Sequence, residues 1–182
     1  MITTVVTDDE ELLQIASLSD KNLRTIVSAE QQLQQGFITW KYSYDLLKQL
    51  NDQHPHIIAK VDDKVVGYAL VALKDAAVFH SDLKTMIAKL DEIEYQNKKL
   101  SSYQYYVMGQ ICIDEAYRGK GVFEKLYNHH KKLLQNSFDF VVTEISTQNQ
   151  RSIHAHNKIG FITIDSYKDV IDKWNVVLWN WL

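Results

Sequence analysis

Residues 111–127 read Ile-Cys-Ile-Asp-Glu-Ala-Tyr-Arg-Gly-Lys-Gly-Val-Phe-Glu-Lys-Leu-Tyr. The pattern predicts an apolar strand that ends at Asp114, a tight turn of small and basic residues, and an amphipathic helix that begins near Gly121. The first N–H groups of a helix have no partner inside it, and the helix dipole favours negative charge at that end. Gly119 and Gly121 remove side chains that would hold a phosphate off this backbone, and Arg118 and Lys120 add positive charge. The stretch therefore predicts a pyrophosphate cradle and a nucleotide-type cofactor.

Two common phosphate loops are excluded. The dinucleotide fingerprint G-x-G-x-x-G would need a third glycine where Glu124 stands, and no G-x-x-x-x-G-K-[ST] run occurs. The turn instead resembles motif A of the GNAT acyl-CoA N-acetyltransferases, [RQ]-x-x-G-x-[GA], with Arg118 and Gly121 in place and Phe123 where that family prefers Gly or Ala. Downstream, residues 149–161 read Asn-Gln-Arg-Ser-Ile-His-Ala-His-Asn-Lys-Ile-Gly-Phe. This is similar to a second motif of the family, N-x-x-[AS]-x-x-x-Y-x-K-x-G-F. Asn149, Ser152, Lys158, Gly160 and Phe161 match, and His156 stands in the Tyr position. Two motifs in the right order, each on its expected local structure, are far more specific than either alone.

Working outward, 182 residues give ample length for a core and are read as one domain over 1–182. A net charge of −3 leaves no basic footprint for nucleic acid. The lone Cys112 permits no internal disulfide, which fits a reducing, cytoplasmic setting. The first residues lack the basic and apolar regions of a signal peptide. The longest apolar run, 65–73, is too short to cross a bilayer, so no membrane partner is expected.

Residues 2–6 read as a strand, and Thr7 with Glu10 as the capping box of a helix carrying Leu12, Leu13, Ile15, Ala16 and Leu18. A second helix carries Leu23, Ile26, Val27 and Leu33 and stops at Gly36, and a third covers about 44–50. Strands 57–61 and 65–73 form a hairpin about Asp62-Asp63-Lys64. Leu83, Met86, Ile87, Leu90 and Ile93 mark a helix over 80–100, capped by Ser81 or Asp82. Residues 103–114 form the central strand, where Gly109 signals a bulge or close backbone approach. The next helix buries Phe123, Leu126, Tyr127, His130 and Leu133. A strand at 140–146, a helix from Asn149 to Gly160, and strands 161–165 and 176–181 complete the chain. The resulting class is α+β (mixed α/β): a GNAT-like mixed sheet of about seven strands. It is antiparallel early, holds a parallel splayed pair, is flanked by helices, and carries a helical insertion at 80–100.

The resemblance implies acetyl-CoA as co-substrate and a primary amine on a small molecule or peptide as acceptor. It places the pyrophosphate on Arg118, Gly119, Lys120, Gly121, Val122 and Phe123. The pantetheine arm would lie along Ile111, Cys112 and Ile113 in the gap of the splay, and Asn149 and Ser152 would bind that arm or position the neighbouring loop. N-terminal acetyltransferases of the superfamily set a Glu base twelve residues before a Tyr acid, which maps onto Glu144 and His156. A half-buried carboxylate can take a proton, and an imidazole can donate one to a departing thiolate. Cys112 reads either as an acyl-carrying nucleophile or as inert core. No histidine pair has convincing ligand spacing, so no metal is expected. Trp174, Trp179 and Trp181 read as core or a sheet edge or, if exposed, as the face of a homodimer. A non-catalytic acyl-CoA-binding or interaction module on the same fold is the alternative reading.

Overall fold

The computed structural model describes residues 1–181. Its nine strands are β1 (Ile2–Val5), β2 (Ile57–Val61), β3 (Lys64–Ala72), β4 (Glu94–Tyr95), β5 (Lys98–Lys99), β6 (Tyr105–Ile113), β7 (Phe140–Ser146), β8 (Ile162–Lys168) and β9 (Lys173–Asn180). Its six helices are α1 (Asp9–Lys21), α2 (Ala29–Gln35), α3 (Tyr44–Gln53), α4 (Ser81–Glu92), α5 (Val122–Leu134) and α6 (Gln150–Ile159). Seven strands make one mixed sheet in the order β1-β2-β3-β6-β7-β9-β8, while β4 and β5 pair apart from it. Among the described strands of this sheet only β6 and β7 pair in parallel, so the mixed sheet expected from the sequence is the one formed.

β3 reads as a continuous apolar run because helices cover both faces of the sheet. One core holds Leu12, Ile15, Leu47, Leu50, Tyr68 and Leu70. The other holds Val66, Leu126, Tyr127, Val141 and Ile145 under α5. A register slip opposite Ala59 and Lys60 places an extra residue, Val66, in β3, which reverses its in–out alternation beyond Gly67.

Several local expectations shift. Asp8, not Thr7, caps α1 by accepting from the Glu11 N–H, and buried Glu11 reaches back to the Thr7 N–H. The cap thus forms one residue later, and Glu11 reaches past it to Thr7 instead of closing a box on the cap residue. Leu13 is 49% exposed. The helix expected to begin near Leu23 forms only at Ala29, after Ser28 and Gln31 close a capping box. Its sequence, Ala-Glu-Gln-Gln-Leu-Gln-Gln, offers no apolar face, so α2 buries no residue, and Gly36 (φ +74°) ends it as expected. Along the 80–100 segment, Leu83, Ile87 and Leu90 are buried at the expected spacing, but His80 caps α4. The helix stops at Glu92. Gln96 and Asn97, both with positive φ, then turn a tight hairpin between β4 and β5. On α5, Leu134 is buried and Leu133 is 43% exposed. β8 and β9 are longer than their expected spans. Trp174, Trp179 and Trp181 are each partly buried, and Trp179 packs on Tyr127, Phe161 and Trp181. No helix among the described residues is long and apolar enough to cross a membrane.

Candidate active site

The site grows from the point where β6 and β7 part. They pair only at Tyr105–Phe140, Tyr106–Val141 and Val107–Val142. Beyond, β6 slips register by one residue against β3, between the Met108 and Ile111 pairings. Gly109 lies in this slip, and a Cβ there would stand 2.6 Å from the Tyr42 hydroxyl. Both expectations for this glycine, bulge and close approach, are met. The Thr143 hydroxyl donates to the Met108 carbonyl at 2.8 Å and closes the start of the gap. Ile111, Cys112 and Ile113 then line an open cleft of about 580 Å³.

The glycine turn forms the floor of that cleft. Asp114 caps a single turn at Glu115–Tyr117 by accepting from the Ala116 N–H. Gly119 (φ +70°) and Gly121 (φ +75°) follow, both in the left-handed region that other residues enter at a cost. A Cβ on either would meet nothing within 4 Å, so the space above this backbone is open. Gly121 is the N-cap of α5 and no side chain caps that end. The N–H groups of the first turn are thus left for a ligand, and an anionic pyrophosphate fits the arrangement.

The basic residues contribute differently from expectation. The Arg118 guanidinium turns inward, donating from Nε to the Ile113 carbonyl at 2.9 Å and from its terminal nitrogens to Gln35 and Asn22. It clasps the end of β6 to α1 and α2. Lys120 lies outside the cleft wall, with its ammonium 5.4 Å from the centre of the Tyr117 ring. The cradle therefore depends chiefly on backbone. Cys112 is buried, which pushes its thiol up to about 12 against the pull of Arg118.

A second cavity of about 460 Å³ adjoins the first, sharing Phe37, Ile38, Ile111, Asn149 and Ser152 as common wall. Asn149 caps α6 by accepting from the Ser152 N–H, and its amide nitrogen donates to the Phe37 carbonyl at 2.9 Å. A Cβ on Gly36 would stand 2.9 Å from the Asn149 oxygen. Asn149 therefore pins the loop between the two cavities, where only glycine fits.

Glu144 lines the second cavity from β7. Its Oε2 accepts from the Tyr167 hydroxyl at 2.8 Å, while its Oε1 is buried without a hydrogen-bond partner. Burial pushes this carboxyl up to about 7, against the pull of the Tyr167 hydrogen bond and of the Lys89 charge. A carboxylate with that affinity and one free oxygen can take a proton near neutral pH.

His156 also reaches this cavity, but its ring is fully engaged. A carbonyl only accepts, so the 2.8 Å contact to the Ser152 carbonyl makes Nδ1 the donor. Nε2 then accepts from the Tyr127 hydroxyl at 2.6 Å. Burial lowers the imidazole to about 4, so it is neutral at pH 7. Phe123 packs edge-on against this ring, with centroids 5.0 Å apart at 85°. The two positions at which the chain departs from the motifs are thus in direct contact. Tyr42, Tyr167 and Lys89 also belong to the site. They come from a loop, the edge strand and the insertion, and no motif points to them. Among the described residues, no group of three His, Cys, Asp or Glu side chains could hold a metal ion.

The Acetyltransferase (GNAT) family model matches residues 22–161. The chain therefore belongs to the GNAT family. It is a GNAT-type N-acetyltransferase, a class whose acetyl donor is acetyl-CoA. No curated protein matches the sequence. The fold is similar to a chain of the NatC complex bound to Gag peptide and CoA (TM-score 0.67, 12% identity, covering 100% of this chain and 98% of that one). It is also similar to Ard1 from Thermoplasma volcanium (TM-score 0.67, 14% identity, 100% and 99% covered). A third similar structure is that of yncA from Salmonella typhimurium with its cofactor acetyl-CoA (TM-score 0.61, 14% identity, 98% and 93% covered).

Proposed function

We propose that this chain moves an acetyl group from acetyl-CoA directly to a primary amine, with Glu144 as the base. One observation carries the reading: the free Oε1 of Glu144 is buried in a cavity that shares a wall with the glycine cradle. The two substrates can thus meet across Ile111, and holding them together supplies a large part of the rate. The fold neighbours include proteins with CoA, acetyl-CoA and a peptide, which supports an acyl-CoA donor and an amine acceptor.

In this reading the N–H groups from Gly119 to Phe123 hold the pyrophosphate. The β6 edge at 111–113, unpaired beyond the splay, holds the pantetheine arm, and Asn149 and Ser152 set the wall beside it. The bound donor supplies an activated thioester. Glu144 takes the ammonium proton, and the free amine attacks the thioester carbonyl. The new N–C bond forms, the C–S bond breaks, the thiolate leaves, and the amine's surplus proton passes to solvent. Cys112 has no part in transfer, since its raised thiol is un-ionised at neutral pH. His156 is a positioning residue, because both nitrogens are used and neither holds a proton for the thiolate. The leaving group takes its proton from water.

That last feature favours one second reading, an acyl-CoA-binding module without turnover. Calorimetric titration with acetyl-CoA, followed by thiol release with a panel of primary amines, separates the two. Micromolar binding with amine-dependent thiol release is expected. Binding without release supports the module, and no binding up to millimolar ligand removes both.

A further inference from the structure

Beside the proposed base stands a cation that no carboxylate pairs directly. Lys89, on the insertion helix α4, forms no ion pair among the described residues. Its Nζ instead lies 4.5 Å from the centre of the Tyr167 ring. The hydroxyl of that ring donates to Glu144 at 2.8 Å. One phenol therefore carries the cation on its face and the base at its tip, and both charges line the same cavity. The remaining wall is mainly apolar, with Trp40, Tyr42, Met86 and Trp174 around them.

One other wall charge reaches this pair: Asp169 attracts Lys89 across the cavity and repels Glu144, without closing an ion pair with Lys89. Asp169 spends its Oδ1 on the N–H groups of Ile171 and Asp172. Asp82 sits exposed in the first turn of α4. The wall thus offers the free oxygen of Glu144, a cation without an ion pair, the unpartnered indole N–H of Trp174 and apolar surface, with Asp169 at its side. The gap from Nζ to the carboxylate spans one phenol ring and one hydrogen bond. An α-amino acid, whose amine and carboxylate are joined through a single carbon, bridges roughly 7–8 Å when hydrogen-bonded at both ends. A diamine would set its second charge against Lys89, and a plain alkylamine would leave Lys89 unanswered.

We infer that the acceptor is a free α-amino acid with an apolar side chain, its amine at Glu144 and its carboxylate on Lys89. The inference rests on the acetyl-transfer reading above. The α-ammonium gives one proton to Glu144. The amine then forms its N–C bond to the acetyl carbon as the C–S bond breaks, and the amine's remaining surplus proton passes to solvent. The products are an N-acetyl amino acid and CoA.

The test measures thiol release with L-leucine and L-phenylalanine, their amides, their decarboxylated amines, and a short peptide with the same first residue. A hydrogen-bonded charge pair is worth on the order of tenfold or more in kcat/KM, so the free acids should exceed every carboxylate-blocked counterpart by at least that factor. Lys89→Gln should erase the preference and Lys89→Arg should keep it. Lys89 is exposed, so neither change threatens folding. Amides, simple amines or the peptide reacting as fast as the acids would overturn the inference while leaving acetyl transfer standing. A preference that survives Lys89→Gln overturns it equally. Acetyl-CoA binding with no thiol release from any amine removes the acetyl-transfer reading, and this one with it.

Discussion

Glu144→Gln should make the protein more stable and less active at once, and the size of the first effect should depend on pH. Folding raises this carboxyl from 4.5 to about 7, chiefly by burial. Between those values the folded state binds more protons than the unfolded one, so stability falls as pH rises through that window and stays lowered above it. A shift of that size corresponds to about 3 kcal/mol at pH 8 and about 1 kcal/mol at pH 5. Glutamine imitates the protonated acid: its oxygen still accepts from Tyr167, and its amide stands where the acid proton would be. The variant's advantage should therefore grow by about 2 kcal/mol between pH 5 and pH 8. That is roughly 5 °C in melting temperature for a chain of this length. Urea or thermal melts of both proteins at the two pH values test this, and other titrating groups cancel in the difference. In parallel, kcat/KM of the unaltered protein should rise with pH through about 7, and the variant should lose on the order of a hundredfold or more. A stability difference that stays flat from pH 5 to pH 8 would refute the burial argument. Unchanged turnover in the variant would refute the role as base.

Acid should destabilise the protein through a different set of groups. Burial lowers His56 and His156 to about 4 and His130 to about 3. Between 6.5 and those values the unfolded state takes up protons that the folded, neutral imidazoles refuse, which costs roughly 2 kcal/mol each by pH 5, so urea midpoints should drop sharply from pH 7 to pH 5. Gly121→Ala forces a Cβ into φ +75°. It should cost about 1–2 kcal/mol in chemical denaturation and weaken acetyl-CoA binding in calorimetry, whereas unchanged affinity would separate the turn from the cofactor. A double-mutant cycle of Phe123→Leu and His156→Leu should give a coupling of about 0.5–1.5 kcal/mol, the range for edge-on ring pairs, and none if the two rings are independent. Strand β8 is an open sheet edge, so a homodimer through the C-terminal strands should appear in light scattering, and a monomer at high concentration rejects it.

Features set by short-range physics were legible in the sequence. The glycine turn, the Asn149 cap, the Gly160 stop and the slip at Gly109 each depend on a few adjacent residues, and they stand where the sequence places them. Features set by tertiary partners were not. Arg118 reads as a free cation until Asn22 and Gln35 take its guanidinium. Lys89, Tyr42 and Tyr167 come from the insertion, a loop and the edge strand, and they acquire meaning only when folding gathers them around Glu144. The boundary errors have local causes: Asp8 competes with Thr7 for the cap, and the Gln96-Asn97 turn ends the 80–100 segment as a hairpin.

The two departures from the motif pattern make sense as one. A small residue at 123 would leave a gap beside the ring at 156. Here Phe123 fills that space and abuts His156, while Tyr127 takes the imidazole nitrogen. The phenol that the resemblance places on α6 is thus supplied from α5, one turn beyond Phe123, but its hydroxyl is buried behind the imidazole. Restoring the motif at one position alone should therefore not restore an acid. His156→Tyr would press a larger ring against Phe123 and strand the Tyr127 hydroxyl in an apolar core, at a cost of about 1–3 kcal/mol for the unsatisfied group. Only the pair, His156→Tyr with Phe123→Ala, leaves room for a phenol to turn toward the cleft. If the site lacks a proton donor for the thiolate, the double variant should gain turnover that both single variants lack. A gain in the single His156→Tyr variant would show that Phe123 does not set the geometry of this wall.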